Sequence, residues 1–206
     1  MTLSFILTWL AVMLPLISSP GPANIVFAAS GANFGVKNSI PLMLGVEVVF
    51  FSKSILIWFG LGTLLENNSS SLLYLQLLGA AYLFYLGYGF IKPALKNEIK
   101  QIKKLGFIDG VILQFFNVKG WILLLLMFSL FSSNVQLVGE NATIVTLILI
   151  LSVLSMSVHL LWISSSAFLV KKFFKKQNQK LQGLLFGGSL IGVGIWFIVD
   201  SRLFTN

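Results

Sequence analysis

The stretch LSFILTWLAVMLPLISSPGPANIVF, residues 3–27, is mostly apolar and carries no charge, and Pro20-Gly21-Pro22 interrupts it near its end. A membrane-spanning helix needs about 20 mostly apolar residues. Residues 3–27 therefore predict a first span with a break in its second half. A signal peptide is the competing reading of residues 18–23 as a cleavage region. A signal peptide would carry a basic segment before its apolar run, but the first Lys or Arg is Lys37.

Five more runs of this kind follow, at roughly 39–65, 70–91, 107–132, 143–170 and 182–204. They predict an all-α integral membrane protein of six transmembrane helices, with residues 1–206 forming a single transmembrane domain. Composition agrees. Of the 206 residues, 57% are hydrophobic and 10% charged, and the mean hydropathy is +0.94. A soluble domain carries about 25% charged residues, and a chain this short cannot hide so much apolar surface in one core. There is no cysteine, which excludes disulfides and thiolate metal sites.

The net charge of +8 would suggest nucleic acid in a soluble protein. Here its distribution argues otherwise. Loop 28–38 holds Lys37, and loop 92–106 holds Lys92, Lys96, Lys100, Lys103 and Lys104. Loop 171–181 holds Lys171, Lys172, Lys175, Lys176 and Lys180, while loops 66–69 and 133–142 hold no basic residue. The positive-inside rule then puts loops one, three and five in the cytoplasm and both termini outside. No nucleic-acid partner is expected; the partners are the lipid bilayer and a small-molecule substrate. Ile91, Leu95, Ile99 and Ile102 give the third loop an amphipathic spacing, compatible with an interfacial helix or with a solvated linker.

Small residues predict close helix contacts in lipid: Gly183 with Gly187 and Gly188 with Gly192 in the last span, and Gly79, Gly87 and Gly89 in the third. The third span ends LGYGFI (residues 86–91) and the sixth contains IGVGIW (residues 191–196). The first span is interrupted at residues 19–22 and the fourth at residues 117–120. Two three-helix halves, inverted relative to each other and each with a broken helix, are a transporter design.

Ionisable residues inside a bilayer are costly and mark function. Lys119, within Phe116-Asn117-Val118-Lys119-Gly120 of the fourth span, is either a fixed charge for a substrate carboxylate or the partner of Glu47 or Asp109. Glu47, in the second span, would bind a substrate ammonium group, carry a coupling proton or form a salt bridge. His159, in the fifth span, is the only histidine and would relay protons or bond within the bundle. Asp109 sits where it favours a helix N-terminus. Lys53 lies in the same span as Glu47, on another face, and the sequence gives it no role. At Pro20, Gly21 and Pro22 the lost backbone donors free carbonyls that neighbouring helices, water or substrate must satisfy. A half-helix starting at Pro22 would aim N–H groups at a carboxylate, with Asn24 beside it.

These residues resemble the LysE/RhtB family of amino-acid exporters over nearly the whole chain. Pro20-Gly21-Pro22 matches the family's PGP signature. Gly79-Ala80-Ala81-Tyr82-Leu83 with Gly87 is similar to its GAxYL…G helix, and Phe107-x-x-Gly110 leading to Asn117-x-Lys119-Gly120 to its FxxG…NPKA/G segment. Gly183 with Gly192-x-Gly194 fits its last helix. Val118 stands where the family has proline, which predicts a less sharply broken fourth helix.

The resemblance implies a multi-pass protein of the cytoplasmic (inner) membrane that exports amino acids or related metabolites by proton antiport. It would use no cofactor and no metal. Pro20, Gly21, Pro22, Asn24, Glu47, Asn117 and Lys119 would bind the substrate, and Glu47 or His159 would couple protons. A homodimer through the glycine faces is a further expectation. Metal-ion export would need clustered Asp, Glu, Cys or His ligands, and the chain has six acidic residues and one His. An enzyme would need a nucleophile and base or a metal motif; neither HExxH nor GxSxG occurs, though a Ser–Lys dyad stays open. A non-transporting membrane scaffold is the remaining alternative.

Overall fold

The computed structural model describes residues 2–61, 69–96, 103–131, 140–173 and 179–201. Among them every regular element is a helix: α1 (Leu3–Ser18), α2 (Pro22–Leu56) with a π-helical turn (Ile57–Leu61), α3 (Ser69–Leu95), α4 (Phe107–Phe115), α5 (Val118–Phe131), α6 (Glu140–Phe173) and α7 (Gln179–Ser201). Four helices are long and apolar enough to cross a membrane, five if the bent pair of α4 and α5 counts as one. The expected second and fourth loops lie for the most part outside the described residues, as does 174–178 of the fifth, whose residues 171–173 and 179–181 are helical. Residues 97–102 of the third also lie outside them, and residues 103–106 are not helical.

Residues 22–56 do not form a straight rod. Gly35 has φ 76 and ψ 174, a left-handed conformation that glycine adopts without penalty. Across it, the hydroxyls of Ser30 and Ser39 are 2.7 Å apart. Nine residues of straight helix would separate them by about 13.5 Å. Phe27 and Glu47 also both touch His159 on α6, one by ring contact and one by hydrogen bond. The chain therefore folds back at Gly35, inside the loop expected at 28–38. The apolar length from Pro22 to Gly60 is thus two antiparallel arms.

Residues 3–27, expected as one span with a break, are two helices separated by residues 19–21. The fourth expected span is likewise two pieces, α4 and α5, bent by 61°. The break is present although Val118 stands there without a proline, and the contacts made at it are described below.

Glycine lets backbones meet where the helices cross. A Cβ on Gly45 would strike the Phe107 carbonyl, and one on Gly110 would strike the Leu42 carbonyl, so α2 and α4 touch backbone to backbone. Gly31 rests the same way on the Ile163 carbonyl of α6. Gly87 and Gly187 face each other's carbonyls where α3 crosses α7, and Gly183 packs on Ala94. Gly89, Gly188 and Gly192, read as contact residues from sequence, meet nothing within 4 Å among the described residues.

Polar and apolar residues are distributed inside out. Val48, Phe59, Leu149, Val153, Leu161, Trp196 and Val199 are exposed, while Ser30, Ser39, Lys53, Gln76, Gln114 and Ser155 are buried. That suits an apolar solvent outside and polar partners within. Two apolar clusters form the core. One gathers around Phe27, Leu42, Leu83 and Leu190; the other, around Trp9, Met13, Leu124 and Leu151.

Candidate substrate site between two helix breaks

The site starts from a problem of unpaired carbonyls. Pro20 and Pro22 have no N–H, and Gly21 is extended (φ −148, ψ 176), so the last carbonyls of α1 lose their helical donors. Side chains replace them. The Ser19 hydroxyl donates to the Leu16 carbonyl at 2.9 Å. Asn24 Nδ2 donates to the carbonyls of Ile17 at 2.8 Å and Ser19 at 2.9 Å. The Ser19 carbonyl also accepts from Lys119 Nζ at 2.6 Å. Lys119 comes from the first turn of α5, so one ammonium group ties the first break to the second.

At the second break, Gln114, Phe115 and Phe116 end α4, and Asn117 precedes α5. The Gln114 carbonyl accepts from Asn117 N at 3.2 Å and from Lys53 Nζ at 2.5 Å. The Phe115 carbonyl accepts from the Trp121 indole at 3.1 Å. Gly79 of α3 lies against the Phe116 carbonyl. The Asn117 amide donates to Gln114 Oε1 at 2.9 Å. The carbonyls exposed by the bend are therefore met by Lys53, Trp121 and the close approach of α3.

The breaks enclose a cavity of about 40 Å³ at the seam of the two apolar clusters. Its walls include Gly21, Asn24, Gln114, Asn117, Lys119 and His159. The volume is far below the roughly 300–1,000 Å³ of sites for drug-sized ligands. Two buried oxygens of these walls, Asn24 Oδ1 and Asn117 Oδ1, have no hydrogen-bond partner. Such unpaired acceptors cost about 1–3 kcal/mol each unless something else satisfies them. The cavity thus offers one cation, two idle acceptors and the N-termini of two half-helices.

Beneath it lies a second polar group. His159 Nδ1 sits 2.5 Å from Glu47 Oε1, and Ser155 donates to the same oxygen at 3.2 Å. Glu47 and His159 are 8% and 7% exposed, so the pair is closed off except where His159 and Ser155 reach the cavity wall. Glu47 Oε2 has no partner.

Among the sequence candidates, Gly21, Asn24, Asn117, Lys119 and His159 share this cavity. Pro20 is exposed. Pro22 is buried against a smaller crevice with Asn117 and Tyr82, and Glu47 reaches the cavity only through His159 and Ser155. Lys119 pairs with neither Glu47 nor Asp109. Asp109 instead caps α4, accepting from Gly106 N at 2.8 Å, and pairs with Lys103 at 3.1 Å. That pairing raises the pKa of Lys103, chiefly through the hydrogen bond. Gln114, Ser155 and Trp121 were not singled out from sequence. The signal for the first two was a polar residue inside an apolar run, the same signal that marked Lys119 but without a charge.

The chain is 25% identical over 185 residues to a cysteine/O-acetylserine efflux protein of Klebsiella pneumoniae subsp. pneumoniae, covering 90% of this chain and 93% of that one. Over 82 residues it is 26% identical to an uncharacterized membrane protein of Vibrio cholerae serotype O1, covering 38% of this chain and 40% of that one. No solved structure matches. Residues 14–201 match the LysE type translocator family, and the chain, with its paired helix breaks and membrane-length apolar helices, belongs to that family.

Proposed function

We propose that this protein exports small neutral amino acids, or derivatives of similar size, across the cytoplasmic membrane in exchange for protons. Family membership and the efflux relative support the export of amino acids or metabolites. The observation that carries the substrate reading is the Lys119 ammonium on the Ser19 carbonyl, beside the idle oxygens of Asn24 and Asn117. A zwitterion fits that arrangement by exchange. Its carboxylate takes Lys119, and its ammonium takes the released Ser19 carbonyl together with the two Asn oxygens. Charge-assisted bonds of this kind are about twice as strong as neutral ones. Among the described residues the only buried acid near the cavity, Glu47, is engaged by His159 and Ser155. A second substrate cation would find no counter-charge, which favours neutral over basic amino acids.

Substrate binding would loosen the Lys119–Ser19 hydrogen bond that links the breaks, and so let one half of the protein move against the other. The architecture that accommodates this is a single domain of six spans. The arms of α2 count separately, the first and fourth spans are the broken ones, 1–3 and 4–6 are inverted halves, and both termini are outside. Glu47 and His159 carry the coupling proton between protein and cavity. A homodimer would use the Gly188 and Gly192 face of α7.

Flux of labelled amino acids in proteoliposomes, with and without an imposed pH gradient, tests the proposal. Saturable, gradient-dependent movement of small neutral amino acids is the expected result. Absence of movement for every amino acid, from folded protein, would overturn it. Gradient-insensitive flux would overturn the proton coupling alone.

A further inference from the structure

Lys53 is a buried charge at the second break that does not line the cavity. It is 2% exposed, and among the described residues no carboxylate reaches it, the ion pairs being Lys103 with Asp109 and His159 with Glu47. Its ammonium group has two partners. One is the Gln114 carbonyl at the end of α4, at 2.5 Å. The other is the face of the Trp121 ring on α5, 4.1 Å from its centroid. Trp121 itself donates to the Phe115 carbonyl. One cation thus grips both sides of the bend, holding the negative end of α4 by its carbonyl and α5 by the ring.

We propose that Lys53 is a positioning residue that fixes the break between α4 and α5 from outside, and so sets the places of Gln114 and Asn117 in the cavity wall. The local sequence explains why an outside hold is needed. Phe115-Phe116-Asn117-Val118 contains no proline, and Phe116 (φ −89, ψ 1) sits in the sparsely populated bridge region, which no residue of this stretch enforces by itself. Without Lys53 the Gln114 carbonyl would lose its charged donor and keep only bonds from nearby backbone N–H groups, the 3.2 Å bond from Asn117 N among them, and the two pieces could straighten toward a continuous helix. Val118 is the first residue of α5, a position where proline's fixed φ suits the helix start and its missing N–H is not needed. A proline there would set the same break from within.

The claim about geometry stands apart from the identity of the substrate, and its main readout does not use transport. Hydrogen exchange of the full-length protein in detergent micelles is followed on peptides covering 113–121, with peptides from 80–90 as reference. Lys53→Met should speed exchange at 113–121 about tenfold or more and leave 80–90 unchanged. Adding Val118→Pro to Lys53→Met should restore most of the protection at the remaining amides. In proteoliposomes, Lys53→Met should raise the apparent KM for the transported amino acid more than it lowers the maximal rate, and Val118→Pro should reverse the KM change. Unchanged exchange at 113–121 in Lys53→Met overturns the proposal. If Lys53→Met loses protection in both segments, the double variant decides: recovery at 113–121 supports the proposal, and no recovery overturns it. Flux absent in the parent protein as well would count against the proposed function and leave the exchange result standing.

Discussion

At the first break the chain runs through two prolines and an extended glycine; at the second it runs through two phenylalanines and an asparagine with no proline at all. The first break is written into the backbone, and its stranded carbonyls are gathered mostly by neighbours in sequence: Ser19 three residues on, Asn24 five and seven residues on. The second is imposed by distant residues, with Lys53 arriving from 61 positions away and Gly79 from another helix. Lys119 belongs to the second break by sequence and to the first by contact, 100 residues apart. A break fixed by its own backbone can keep its shape while neighbours move. One fixed by side chains from other helices changes when those helices do. The second break is therefore the one that can sense a rearrangement of the bundle.

The largest expected effect comes from cutting the link between the breaks. Lys119→Met keeps the length of the side chain and removes its charge. A hydrogen bond to a charged group is worth about 1.5–3 kcal/mol, so the ratio of maximal rate to KM should fall on the order of a hundredfold, read as flux in proteoliposomes. Flux with unchanged apparent affinity in this variant would mean that the carboxylate is held elsewhere.

Next comes the difference in how the breaks are capped. Asn24→Ala removes two bonds from carbonyls that have no other helical donor, each worth about 0.5–1.5 kcal/mol with a further penalty for the stranded acceptor. It should lower stability by about 2–3 kcal/mol, visible as a drop in the thermal unfolding midpoint in detergent. Asn117→Ala removes one bond to a side chain and strands no backbone group, so its stability cost should be about 1 kcal/mol. Equal losses in the two variants would erase the distinction between a self-capped and an externally held break.

How far the sequence discloses this contrast follows from the same physics. The first break was legible because proline and glycine act through their own backbone, and Lys119 because a charge in an apolar run needs a reason. The resemblance to the exporter family, carried by the same residues, agrees with the family match over residues 14–201. What meets the second break was not legible: Lys53, Trp121 and Gly79 gather at its carbonyls, and their convergence is tertiary. The partner of Glu47 was not legible for a similar reason, the sequence offering Lys119 only as one alternative. His159 and Glu47 meet only because the chain folds back at Gly35 and lays the second arm of α2 along α6. Glycines at true backbone crossings, Gly31, Gly45 and Gly110, look in sequence no different from Gly188 and Gly192, which meet nothing within 4 Å among the described residues.

The smallest predicted effects compare one glycine at each break. A Cβ on Gly120 would come within 2.7 Å of Gln114 Nε2 and 3.7 Å of Asn117 Nδ2. Those amides are buried and bonded to each other, so Gly120→Ala must push a fixed part of the cavity wall, and the apparent KM should rise about tenfold, the loss of about one hydrogen bond. A Cβ on Gly21 would approach Lys119 Cδ to 2.8 Å and its Nζ to 3.2 Å. Gly21 is extended, a conformation alanine adopts without strain, and a lysine stem has several rotamers with which to give way. Gly21→Ala should therefore raise KM only about twofold to threefold, well under one bond's worth, with the maximal rate little changed because Lys119 keeps its charge. The two alanines differ by a single methyl group each, so the ratio of their effects reads the stiffness of the two walls directly. A larger effect at Gly21 than at Gly120 would mean that Lys119 is held as rigidly as the Gln114–Asn117 pair, and that the link between the breaks is a fixed strut rather than an exchangeable contact.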